Sequence, residues 1–549
     1  MTKIMCTSIT NHQQVDKLEG ETMMETSKKL LCSLIRCIIV QLHYVFDCII
    51  DFVFGLYYNG KEEKVPPIKN TILLESAIML AEKIRNKKLS CQTVVNTFIE
   101  RCKEVNGTIN VIVDERYDEA MKEARRVDEL LACDIDIDIL KITKPFLGVP
   151  FTTKESNEAK GLLHSMGMVA RKGHRSTQDA TVIANVKESG AILIAKTNIP
   201  EMNLWVESRN LIYGQTNNPY NSTRAVGGSS GGDAAVTAAC GVPFSVGSDI
   251  GGSIRMPAFF NGVFGLKPSE RATPLRGIGL RTEDSADSMA EAGPICKCAE
   301  DLLPLLKIMI TDKDLKEKLD TPVNIKKVRV FYQEGSGDLR ASRINPEMRA
   351  ALTKVVQHLE KAADSVQRIK LPGSEYSFRL WRYWMTQEGA DFKSDITNRQ
   401  SRTSASAELI KLIMNKSEIT FAAILKLIDE DFFPKEDSEW AEEVTAEMKD
   451  YLMKKLGDNG VLVYPSSPFP ASYHHSYFFR PYNFGYWCLF NVLRLPTCQV
   501  PMGLDSEGMP VGVQIVAAPQ HDHLCIAIAR ELEKTFGGWV PPSMVMPQN

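Results

Sequence analysis

At 549 residues and 61.3 kDa, with 44% hydrophobic and 24% charged residues, the chain has the composition of a globular protein that can bury a core without cross-links. A net charge of -3 and a pI near 6.4 leave no global positive field, which excludes nucleic acid as the organising partner. The 13 cysteines form no CxxC pair, and Cys296 and Cys298 lack histidines at zinc spacing, so reduced thiols in a cytosol-facing domain and no metal site are expected.

Residues 1–29 are polar and read as disordered. Residues 30–58 follow as an apolar helix, long enough for a bilayer that takes roughly 20 residues to cross. Arg36, His43, Asp47 and Asp51 interrupt it, and at about 100° per residue they fall on one stripe. Three arrangements fit: a helix lying in a membrane interface with that stripe to water, a spanning helix with the stripe against a partner, or an amphipathic helix packed on the protein itself. A cleaved signal peptide does not fit, because the run begins too far in and is too long. Residues 59–72 read as a linker with a hinge at Lys61 to Asn70, and residues 73–549 as the catalytic body.

Within that body, helical periodicity covers Leu74 to Lys87 and Ser90 to Glu104, with Ser90 as N-cap. A β-branched strand is expected at Ile109 to Val113 and a helix at Asp118 to Leu131. An apolar strand runs from Phe146 to Lys154, a helix over Thr181 to Ser189 and a buried strand over Ala191 to Ala195. Later elements are a helix at Ala299 to Ile310, a strand at Val328 to Tyr332 and helices from about Pro346 to Met453. Strands at Val461 to Tyr464 and Gly512 to Ala517 and a helix at Asp522 to Phe536 close the chain. Alternating strands and helices predict an α/β fold with a sheet covered on both faces.

The chemistry concentrates between Gly227 and Lys267, where Gly227-Gly228-Ser229-Ser230-Gly231-Gly232 and Gly251-Gly252-Ser253 flank a small-residue segment. Glycines let other atoms approach backbone N–H groups, and a serine among such donors suits acyl transfer. Pro145 to Ser156, the GGSSGG cluster and GSDIGGSIRMPAFFNGVFGLKP, in that order and spacing, resemble the amidase signature family. The N-terminal apolar segment and TNNPYNSTRAVGGSSGG most resemble its membrane-anchored fatty-acid amide hydrolases. The resemblance runs from about Leu73 to the C-terminus and is weakest between about 271 and 480. Asp233 departs from it, since many relatives carry glutamate there.

The resemblance implies a mixed β-sheet core and a catalytic triad of Ser253, Ser229 and Lys154, with a cis peptide before Ser229. It also implies an oxyanion hole from the backbone N–H groups of Ile250, Gly251, Gly252 and Ser253. Ser253 would be the nucleophile, and Ser229 would relay its proton to Lys154. A lysine can act as base only when neutral, which burial at the end of an apolar strand favours. Ser230, Asp249 and Arg255 would support the site, and Asp249 with Arg255 reads equally as a structural ion pair. Met202, Asn203 and Leu204 would line an acyl pocket. Phe259, Phe260, Trp381, Trp384, Tyr486 and Trp487 could add wall or be ordinary core.

No cofactor is called for, the substrate would be a lipid amide or other small amide, and a homodimer is compatible. Competing readings are an amidase for small or peptide-like amides, a glutamine-using amidotransferase subunit, and a non-catalytic membrane scaffold. Ser230 also sits in a G-x-S-x-G frame, but the nucleophile elbow of α/β-hydrolases needs a strand before it, and Asn217 to Arg224 is a polar turn.

Overall fold

The structure is a computed structural model and describes residues 30–31, 33–284 and 287–546, so the disorder expected of residues 1–29 lies outside the described residues. Its strands are β1 (Ile112–Glu115), β2 (Pro150–Lys154), β3 (Ile192–Thr197), β4 (Arg209–Asn210), β5 (Gly214–Gln215), β6 (Phe244–Asp249) and β7 (Phe264–Lys267). They continue with β8 (Glu291–Cys296), β9 (Arg329–Tyr332), β10 (Ser365–Arg368), β11 (Gly460–Pro465), β12 (Thr497–Leu504) and β13 (Pro510–Ala517). All but the β4–β5 pair form one 11-stranded sheet in the order β1-β3-β2-β6-β8-β7-β12-β13-β11-β9-β10.

The sheet is mixed. β3 and β6 flank β2 in parallel, whereas β8 runs antiparallel to β6. The carboxyl ends of β2, β3 and β6 therefore open on one edge, the side on which parallel strands of α/β sheets build their sites. Every residue of these three strands is buried, as strands covered on both faces require. Helix Gly231–Ala238 packs on β2 and β6, Arg255–Phe260 on β7 and β12, and Asp522–Phe536 on β12 and β13.

Several boundaries moved for identifiable reasons. Ser90 caps helix Cys91–Ile109 by accepting from the Thr93 N–H, as its position predicts. That helix runs through Ile109, and the expected strand starts only at Ile112. Asn110 turns left-handed there at φ 48°, while Asn106 Oδ1 accepts the N–H groups of Val111 and Ile112. The strand ending in Lys154 begins at Pro150, because Gly148 at φ 77° makes the preceding residues a turn. Strands β4 to β8, β10 and β12 and helices Ile137–Thr143, Gly231–Ala238, Arg255–Phe260, Lys313–Lys318 and Gly485–Val492 were not foreseen.

The apolar N-terminal segment is a helix, Ser33–Tyr58, with only 11% of its most hydrophobic window buried. Its polar stripe faces the body of the protein. Asp47 and Asp51 pair with the fully buried Arg480 at 2.9 and 2.8 Å, and Tyr58 stacks on Tyr473. The opposite side leaves Leu42, Phe52 and Leu56 more than 60% exposed. The hinge expected at Lys61 to Asn70 is instead packed down. Val65 and Ile68 are buried, Arg101 donates to the Pro66 and Pro67 carbonyls, and Ile68 exchanges backbone hydrogen bonds with Met544 and Met546.

Candidate active site

Lys154 is the last residue of β2 and is completely buried. Its Nζ donates to Ser229 Oγ at 2.8 Å and to Ser248 Oγ at 3.1 Å, with the Ser248 carbonyl at 3.5 Å. Burial pushes its pKa down to about 7, against the attraction of Asp233 and Asp249, which favours the ammonium. Ser229 follows a cis Gly228–Ser229 peptide. Gly228 cannot be replaced there, because a Cβ would stand 2.1 Å from the Trp205 carbonyl oxygen.

Ser253 stands across from this pair, and its carbonyl accepts the Ser230 N–H at 3.1 Å, which joins the two serine loops. It is 8% exposed where Ser229 is 1%, so Ser253 is the serine that reaches toward solvent. Among the described residues no hydrogen bond joins its Oγ to Ser229. Ser230 is buried one residue before helix Gly231–Ala238, and its Oγ has only long contacts, 3.4 Å each, with the Ser248 carbonyl and N–H.

The turn after β6 is held by Asp249. Its carboxylate accepts the N–H of Gly252 at 2.7 Å, of Ile254 at 3.0 Å and of Arg255 at 3.3 Å. The Arg255 guanidinium grips it with two contacts of 3.1 Å, and Asn491 Nδ2 donates at 2.9 Å. Burial alone would raise the Asp249 carboxyl, but Arg255 and Asn491 hold it well below the usual carboxylate range. Arg255 in turn donates to Gln514 and Asn491, so this is a fully satisfied buried ion pair that shapes the turn. Asp249 takes the Gly252 N–H, which removes that donor from the expected set, whereas among the described residues no backbone hydrogen bond uses the N–H groups of Ile250, Gly251 and Ser253.

Aromatic side chains from far along the chain seal this turn: Trp381 and Trp487, weighed as possible wall, and Phe484, which was not. Trp381 Nε1 donates to the Ile250 carbonyl at 3.0 Å. A Cβ on Gly251 would lie 2.6 Å from the Phe484 ring, and one on Gly252 2.3 Å from Trp487 Cβ. Of the other aromatics weighed above, Phe259, Phe260 and Tyr486 are buried core, and Trp384 bonds Thr445 Oγ1.

Met202, Asn203 and Leu204 follow β3. Met202 and Asn203 adopt positive φ of 54° and 59°, which turns the chain sharply. Met202 and Leu204 pack on a separate apolar cluster that includes Met166, Met168, Phe392, Ile396 and Leu427. Ser248 was missed as a lysine partner, although it stands two residues from Ile250 in the same motif.

The amidase family profile matches residues 93–526. "Fatty-acid amide hydrolase 2" of Homo sapiens is 42% identical over 487 residues, covering 87% of this chain and 92% of that protein. "Fatty-acid amide hydrolase 2-A" of Danio rerio is 40% identical over 524 residues, covering 94% and 98%. A solved structure of a fatty acid amide hydrolase superposes with a TM-score of 0.67 at 21% identity, covering 86% of each chain, a likeness of fold. One of 6-aminohexanoate cyclic dimer hydrolase complexed with substrate does so at 0.66 and 22%, covering 84% and 97%. On the profile match and these identities, the chain belongs to the amidase family of amide-cleaving hydrolases.

Proposed function

We propose that the protein hydrolyses fatty-acid amides through an acyl-enzyme on Ser253. The observation that carries this reading is the 2.8 Å contact of a buried lysine with Ser229, one loop away from a more exposed serine. In the proposed sequence, neutral Lys154 takes the Ser229 proton as Ser229 takes that of Ser253, and Ser253 Oγ attacks the amide carbon. The carbonyl oxygen becomes an oxyanion facing the N–H groups of Ile250, Gly251 and Ser253. The proton then returns to the leaving nitrogen, the C–N bond breaks, and water releases the acid by the reverse relay.

A lipid acyl chain is supported by the apolar cluster behind Met202 and Leu204 and by relatives named for fatty-acid amides. The helices packing there, Ala405–Ile413 and Phe421–Phe432, turn Ile410, Ile413 and Phe432 outward and exposed. With the apolar face of helix Ser33–Tyr58 these suit a lipid surface, from which residues 73–549 would draw substrate on the cytosolic side. A fluorophosphonate probe is expected to label Ser253 and to lose its target in Ser253→Ala. Acyl amides of graded chain length should show kcat/KM rising with length; a flat or falling series removes the lipid assignment.

A further inference from the structure

The N-terminal helix touches the catalytic body through a charged clamp. Arg480 is fully buried; its Nε donates to Asp47 Oδ1 at 2.9 Å and its Nη2 to the Asp47 carbonyl at 2.7 Å, while its Nη1 forms an ion pair with Asp51 Oδ1 at 2.8 Å. All three partner oxygens belong to helix Ser33–Tyr58. A guanidinium buried against such partners is left as an uncompensated charge when they leave.

Arg480 is also the first residue of the segment that holds the active-site turn. The short helical turn Pro481–Phe484 follows it directly and leads straight into helix Gly485–Val492. Along that path Phe484 lies against Gly251, Trp487 against Gly252, and Asn491 donates to Asp249. The contacts are close enough that neither glycine could gain a Cβ, so a shift of this segment is passed to the 250–252 backbone rather than absorbed.

We propose that Asp47 and Asp51, acting through Arg480, hold the Ile250–Ser253 turn in register, which makes the N-terminal helix a positioning element of the active site. This rests on the reading of that turn as the oxyanion site. It also means that the helix is no detachable anchor, since removing residues 1–60 takes both carboxylates from Arg480.

The test uses the full-length chain in one detergent, with Asp47→Asn/Asp51→Asn, Arg480→Gln and the triple variant. Two quantities are read: the rate of fluorophosphonate labelling, and kcat and KM for a short soluble amide. A displaced donor costs rate steeply, so labelling and kcat are expected to fall about tenfold, with KM little changed. The triple variant should be no slower than either parent, because one clamp is being broken. Arg480→Lys, which keeps a charge for one carboxylate, should recover part of the loss. Wild-type labelling in a normally melting Asp47→Asn/Asp51→Asn protein overturns the proposal, and so do effects that multiply in the triple variant. Asp51 is half exposed, so Asp51→Asn alone probes the same step if the double variant does not fold; wild-type labelling there together with wild-type labelling in Arg480→Gln also overturns it. Persistent labelling of Ser253→Ala would instead remove the assignment of the nucleophile, a separate outcome.

Discussion

The carboxyl ends of β2 and β3 lie side by side, and each carries a completely buried lysine. Burial pushes Lys154 down to about 7 and Lys196 down to about 8, so burial does not separate them. Their partners do. Lys154 faces the hydroxyls of Ser229 and Ser248, which can donate as well as accept and so tolerate a neutral amine. Lys196 donates to the carbonyls of Glu155, Asn157 and Leu163, three acceptors that call for all three ammonium hydrogens. In the proposed mechanism one strand end exchanges a proton, while the partners of its neighbour hold one in place.

Breaking each side of this pair should give different losses. Lys196→Met leaves three buried carbonyls without a donor, each costing about 1–3 kcal/mol. Chemical denaturation should show about 3 kcal/mol or more of lost stability, with activity falling only as the fold does. Lys154→Ala removes the proposed base and should cut kcat/KM at least about 10²-fold in a protein that still folds. Unchanged turnover would leave the lysine as packing. The comparison itself fails if Lys196→Met melts like the parent.

The pH dependence sharpens it further. In the proposed mechanism Lys154 acts unprotonated, so kcat/KM should rise as pH passes through about 7 and level off above. Its folded value lies below the ordinary 10.5, so the unfolded chain binds more protons between those limits. Stability should therefore increase with pH across that window relative to Lys154→Met, whose difference from the parent reports the buried amine. Asp233 adjoins both lysines: it accepts from Thr197 Oγ1 at 2.8 Å, its second oxygen is buried without a partner, and burial raises its carboxyl to about 7. Asp233→Asn takes away a charge that favours the Lys154 ammonium, so the acid limb should move to lower pH by on the order of one unit. A limb that stays put would show that Asp233 does not set the base.

The contrast also marks what the sequence could carry. That Lys154 and the two serine clusters come together was legible because their motifs lie within about a hundred residues on three loops. Lys196 went unnoticed, since a lysine in ILIAKT looks like any strand end until its carbonyl partners are in place. Strands β6 and β7 read FSVGSD and FGLK, too short and glycine-rich to show a period of two, though β6 leads into the proposed oxyanion turn. Trp381, Phe484, Trp487 and Asn491 reach that turn from more than a hundred residues away; Trp381 and Trp487 were among the possible wall residues, whereas nothing near Phe484 or Asn491 in the chain points there.

The smallest effect is expected at Ser230, the serine set aside as a nucleophile-elbow candidate. Ser230 centres the G-x-S-x-G frame, but no strand precedes it, it is fully buried, and its hydroxyl makes two contacts of 3.4 Å. Hydrogen bonds that long contribute little, and a methyl fits where the hydroxyl was, so Ser230→Ala should lower kcat/KM less than about threefold. Ser229, one residue earlier, holds the 2.8 Å contact with Lys154, and Ser229→Ala should fall toward the loss seen on removing the lysine, because the two act as one relay. If Ser230→Ala were instead the damaging member of the pair, the proton path would have to be redrawn through Ser248, which touches both the Ser230 hydroxyl and the Lys154 amine.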